Sequence, residues 1–204
     1  MNNHFLKPFI IVFTGTPLLI WVLENAFERS ILKESLSIMT ILVFCQMIGM
    51  FFLSRTNKYA VKKIKMSRMV KFHKIIGYTC IPIMLLHPVF IVVPRFFESG
   101  VAPFEAFITI ITTLNQGVVL GITAWCLMLI LGLTSLTRKK LPLKYTTWRT
   151  FHGIVAILFI FTATWHVIDL GRHSSIAMSI LIILLTTGAI LLSGKQYLLK
   201  LFKK

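Results

Sequence analysis

Six apolar runs, at roughly 8–23, 35–54, 73–94, 117–136, 150–168 and 175–194, alternate with short charged connections along a chain of 204 residues. Each approaches or exceeds the ~17–20 residues with which an α-helix crosses a ~30 Å hydrocarbon layer. Within such a layer every backbone N–H and C=O must be satisfied inside the segment, so runs of this length are helices. A hydrophobic content of 56% and a mean hydropathy of +0.84 exclude an ordinary soluble domain. The expectation is an all-α membrane protein, a six-transmembrane-helix bundle forming a single domain over residues 1–204.

Local signals refine this. Gly15 and Pro17 predict a kink in the first run, and Asn115-Gln116-Gly117 predicts a break before the fourth. Residues 104–114 then read as an interfacial or partly re-entrant lead-in to that fourth span. Ser54 to Lys71 is a basic connection, loop or helix. The three cysteines, Cys45, Cys80 and Cys126, lie inside apolar runs without a C-x-x-C spacing and read as small packing residues. No small-residue cleavage site precedes the first run, so no cleavable signal peptide is expected.

The net charge of +16 is concentrated between spans, which points to lipid and topology and not to nucleic acid. Arg55, Lys58, Lys62, Lys63, Lys65, Arg68 and Lys71 follow the second run; Arg138, Lys139, Lys140, Lys144 and Arg149 follow the fourth; more lysines close the chain. The positive-inside rule makes these connections cytoplasmic and both termini cytoplasmic. Every acidic residue then falls outside. The third and fifth runs both start at the cytoplasmic face, and the chain is expected in the bacterial cytoplasmic membrane.

Those two runs share a pattern. His73 and His87 are fourteen residues apart, and so are His152 and His166. On a continuous helix fourteen steps of ~100° return to within ~40° of the start and rise ~21 Å. Two parallel helices of this kind present two stacked imidazole pairs, His73 with His152 near the inner face and His87 with His166 near the outer. Zinc needs three or four ligands close together, which one helix with histidines ~21 Å apart does not supply. Haem iron needs one ligand above and one below, so the expectation is two b-type haems with these four histidines as axial iron ligands. Gly77 and Gly153 beside them allow close approach, and Phe72, Phe90, Phe151, Phe159, Phe161 and Trp165 offer flat apolar contacts. Arg55, Lys74 and Arg149 at the inner level, and Arg95 and Arg172 at the outer, are the candidates to pair with haem propionates. His4 and His173 lie outside the pattern.

The motifs His73-x3-Gly77-Tyr78 leading to Leu86-His87-Pro88, then Trp148-Arg149-x2-His152 leading to Trp165-His166, resemble the ferric reductase-like transmembrane domain. That superfamily includes the membrane cores of NADPH oxidases and ferric reductases and the haem subunit of the bacterial periplasmic methionine sulfoxide reductase system. The resemblance implies b-type haems between the third and fifth helices and electron transfer outward across the membrane. The oxidases and ferric reductases continue into a flavin and nicotinamide domain. This sequence carries no Gly-rich dinucleotide fingerprint and resembles the stand-alone haem subunits more. Electrons are then expected from a separate cytoplasmic flavoprotein, from a membrane quinol, or from a flavin at the inner face.

The expected function is a membrane b-type cytochrome passing electrons to an extracytoplasmic acceptor. A ferric chelate or oxygen as acceptor would make it a reductase; an extracytoplasmic redox partner would make it a subunit. The rival reading is a non-redox transporter or assembly factor with histidines as proton relay or helix glue. Transporters favour inverted repeats with polar residues at the midplane, whereas this echo runs in one direction with its histidines toward the two faces.

Overall fold

The computed structural model describes residues 6–24, 30–98, 100, 102–171 and 175–201. Helix accounts for 86% of the structure, and no strand occurs among the described residues. The chain forms two compact units, Met1–Met84 with Ser175–Lys204, and Leu85–Ser174.

The first unit opens with α1 (Leu6–Leu23). At the expected kink, residues Ile11–Gly15 form a π-helical turn just before Thr16 and Pro17, the kind of distortion at which helices bend. Proline has no N–H, so the carbonyl of Phe13 four residues back loses its intrahelical donor. Gln46 of α2 (Ile31–Phe52) supplies one, its Nε2 lying 3.3 Å from that carbonyl and 2.6 Å from Thr14 Oγ1. A polar side chain on a neighbouring helix thus repairs the break, as a membrane interior requires. Gly49 lets Phe9 and Phe13 lie against α2; a Cβ there would stand 2.7 Å from Phe9. After Ser30 caps α2, the helix runs past buried Val43, Phe44, Cys45, Met47 and Ile48.

The basic connection is folded. Asn57 caps α3 (Lys58–Lys63) by accepting from Ala60 N–H at 3.0 Å, and its own amide donates to the Phe52 carbonyl at 3.0 Å. Ala60, Ile64 and Met69 bury a small core beneath the lysines. α4 (Met66–Leu85) follows. It begins seven residues ahead of the expected span, so His73 sits about two turns inside it. α9 (Ile176–Leu201) completes this unit against α1 and α2, with Met178, Ile182 and Ala189 buried.

In the second unit, α5 (His87–Val92) begins at the histidine itself and continues into a 3₁₀ turn, Val93–Phe97. The expected third span is therefore interrupted at Leu86, and the ~40° and ~21 Å relation of one continuous helix does not apply to His73 and His87. Pro88 is the cause: it has no N–H to donate to Met84, and its ring clashes with that carbonyl. Leu85 O also loses its helical partner, since Val89 N–H turns to Leu86 O, and Trp125 Nε1 donates to it at 3.1 Å instead.

α6 (Pro103–Thr112) is the lead-in helix, too short at ~15 Å to span a bilayer. Leu114 adopts a positive φ of 46°, and Asn115 caps α7 (Gln116–Leu136) by accepting from Val118 N–H at 2.9 Å. α7 packs closely against α8 (Tyr145–Leu170). On α8, Val155, Phe159, Ile160 and Ala163 are buried, while Ile154, Leu158, Phe161 and Trp165 form an exposed stripe at helical spacing. A helix apolar on its outer face as well as its inner one belongs in lipid. Among the described residues five helices are long and apolar enough to cross a membrane, or six if the bent pair Met66–Leu85 and His87–Phe97 is one span. The chain is an integral membrane protein.

Candidate functional site

α8 is unbroken from Tyr145 to Leu170, so His152 and His166 do lie about four turns apart on a shared face. Both turn toward α7, which holds each by its Nδ1. At one end, His166 Nδ1 is 2.8 Å from the Gly117 carbonyl. A carbonyl only accepts, so Nδ1 carries the proton and Nε2 presents a lone pair. At the other end, His152 Nδ1 is 3.4 Å from Ser135 Oγ, and the Trp148 ring lies 5.1 Å from the His152 ring at 31°. Trp148 is tied back to α7 by Nε1 donating to Thr134 O at 3.2 Å.

Sequence reasoning missed α7 altogether as a supporting element. The signal was there: Gly117-x3-Gly121 is a small-residue pair one turn apart, the spacing that lets membrane helices touch. A Cβ at Gly121 would stand 2.6 Å from Cε1 and Nδ1 of His166. One at Gly117 would collide with Asp169 and Leu170. The two glycines are the cradle for the His166 ring.

His87 and His166 come together. Their ring centres are 6.5 Å apart and their planes 79° from parallel. His87 Nδ1 is buried and finds no hydrogen-bond partner among the described residues. Buried polar atoms are rarely left so, which marks the space by His87 as one that a further group would complete.

His73 belongs to the first unit, where it hydrogen-bonds the backbone of Met50. Met50 is in the last turn of α2, whose carbonyls have no intrahelical donor, and His73 satisfies one. Gly77, a turn further on, is buried with Met50 Cε 3.3 Å from where its Cβ would be. Three of the four histidines are thus oriented through hydrogen bonds, the arrangement that frees the opposite ring nitrogen for a metal. Among the described residues no three His, Cys, Asp or Glu side chains gather into a multi-ligand metal cluster.

The charged candidates are dispersed. Arg55 and Lys74 are exposed, and Arg149 is half-buried. Arg95 is engaged by Glu98, Nη1 to Oε2 at 2.9 Å. Arg172, His4 and His173 lie outside the described residues. Of the aromatics, Phe159 is buried, but Phe151, Phe161 and Trp165 face outward. Cys45 and Cys80 are buried as expected, whereas Cys126 is exposed.

A family model described as ferric reductase like transmembrane component matches residues 39–163, a stretch containing His73, His87 and His152. An uncharacterized protein of Archaeoglobus fulgidus is 43% identical over 163 residues, which is 80% of this chain and 89% of that protein. No solved structure matches the chain. That relative is archaeal, so it does not single out a bacterial membrane. On the family match and on this relative together, the chain belongs to the ferric reductase-like transmembrane family.

Proposed function

We propose that this protein is a b-type cytochrome of the cytoplasmic membrane that carries electrons from the cytoplasmic side to an extracytoplasmic acceptor. His87 and His166 would hold the outer haem, and His73 and His152 the inner one. The observation that carries the reading is the His87–His166 pair. A metal–imidazole bond of about 2.0 Å, with the ring centre about 1.1 Å further on, would put two rings holding one metal roughly 6.2 Å apart. The observed separation is 6.5 Å. The orphaned Nδ1 of His87 and the glycine cradle of His166 also suit a site built around an added group.

Haem, when bound, supplies one-electron chemistry that no side chain here offers. The protein's part is to fix the rings, select the ligating nitrogen and exclude water. α7 does the first two for both histidines of α8, and the apolar faces of α7 and α8 do the third. The inner pairing rests on sequence: basic connections before the third and fifth spans start both at the cytoplasmic face, levelling His73 with His152. A cytoplasmic flavoprotein, a flavin at the inner face or a membrane quinol would be the donor. A ferric chelate, oxygen or a redox protein would be the acceptor.

The test is haem content and low-temperature spectra of the four single histidine variants. His87→Ala and His166→Ala should each remove the same spectral component, and His73→Ala and His152→Ala the other. Within a pair the double variant should be little worse than either single; across pairs it should be haem-free. Haem binding unaffected by all four would end the cytochrome reading. Loss of one component by both His73→Ala and His166→Ala would end the pairing by level.

A further inference from the structure

Arg138 is the first cation past the end of α7. Positive charge is favoured there by the helix dipole, and exposed Lys139 and Lys140 meet that preference in ordinary fashion. Arg138 is placed differently. Its guanidinium lies over two rings of α8, 5.6 Å from the centre of Tyr145 and 5.4 Å from that of Trp148. Its Nε is buried and has no hydrogen-bond partner among the described residues. Trp148 stacks in turn on His152 at 5.1 Å. Arg138, Trp148 and His152 form a continuous stack, pinned to α7 through Thr134 and Ser135.

A stacked guanidinium spends its faces on the rings and keeps its N–H donors in plane, directed to the rim. A buried N–H without an acceptor is unfavourable, and the acceptor that best fits the guanidinium edge is a carboxylate. Helix-end electrostatics explains a cation at this position but not why a buried donor should be left open.

We propose that Arg138 is an inner-level anion-binding residue: its buried N–H edge receives a carboxylate of the group that His152 ligates. A haem of the b type carries two such propionate carboxylates. The assignment rests on the reading of His152 as an axial ligand. Arg138 is then a positioning residue with an electrostatic effect. A fixed positive charge near an iron favours the reduced state, which carries one positive charge fewer. It would therefore set the inner centre as the better acceptor for electrons arriving from the cytoplasmic side.

The experiment uses the purified full chain in detergent, with haem content and potentiometric titration for R138Q, R138K, R149Q and H152A. The inner component is defined as the one H152A removes. R138Q should lower its midpoint so that the reduced-to-oxidised ratio at fixed potential falls about tenfold, about 59 mV for one electron. The outer component should stay in place. R138K should recover part of the shift, and R149Q should move the midpoint less than R138Q does. A haem-loaded R138Q with an unmoved inner midpoint, or a shift in R149Q and none in R138Q, overturns the proposal. If R138Q loses the inner component, R138K decides: recovery supports the need for a cation, and failure in a chain that keeps its outer component overturns it. If H152A keeps both components, the haem reading of His152 falls, an outcome distinct from a silent R138Q.

Discussion

At the scale of single residues, glycines decide as much as histidines. Gly121 has no room for a methyl group, because a Cβ would stand 2.6 Å from the His166 ring and close-packed interiors do not yield by that much. Gly121→Ala should displace the imidazole and remove the same spectral component as His166→Ala, sparing the other. Retention of both components would mean that the ring moves without consequence. The two supports of α8 should differ in weight. His166 has a short bond to a backbone carbonyl, 2.8 Å, which no substitution at that residue deletes. His152 has a longer one, 3.4 Å, to the Ser135 hydroxyl. Ser135→Ala should weaken haem retention at the inner pair by about tenfold, the lower end for lost supporting hydrogen bonds, measured as haem lost on dilution into apo-myoglobin.

At the scale of elements, two helices are interrupted by proline and repaired by side chains from neighbours. In α1 the carbonyl orphaned by Pro17 is taken by Gln46. Gln46→Leu should cost about 1–2 kcal/mol in reversible unfolding from mixed micelles. Pro17→Ala restores an N–H to that carbonyl, so the double variant should lose less than the two singles together. Strict additivity would show that the contact is not a repair. At the α4–α5 interruption the donor is Trp125. Trp125→Phe keeps the ring and removes the N–H, leaving Leu85 O unpaired two residues before His87. A loss of about 1–2 kcal/mol, with a shift confined to the His87–His166 component, is the expected result, read by micelle unfolding and low-temperature spectra.

At the scale of the whole molecule, orientation is the consequential quantity, since under the proposed function it decides which histidine pair would meet the donor. Reporter fusions at Ser54, Lys140 and Lys204 should read cytoplasmic, and fusions at Ser30 and Ser99 extracytoplasmic. An inverted result at Lys140 would put His152 on the opposite side from His73 and dissolve the levels. The lysines and arginines carry this prediction, each being expensive to move across a membrane.

The amino-acid sequence by itself determined the elements: where the apolar runs lie, that they are helices, and which two of them carry four histidines at matched positions. It could do so because burying backbone in lipid leaves helices as almost the only solution for runs like these. The family was legible from the same histidines and the residues beside them. What only the tertiary structure decided was rotation and hydrogen-bond ownership. Periodicity alone does not say that α7 is the helix His152 and His166 face, that the Ser135 hydroxyl and the Gly117 carbonyl meet the Nδ1 atoms of those rings, or that Arg138 lies on Trp148. Those depend on the rotation of one helix against another, which in a chain apolar on all sides is set by side-chain packing and small-residue contacts and not by an amphipathic stripe. The interruption before His87 stands between the two cases. Pro88 was in plain view, but prolines are common in membrane helices, and whether one breaks the helix depends on the neighbour that takes up the freed carbonyls, here Trp125.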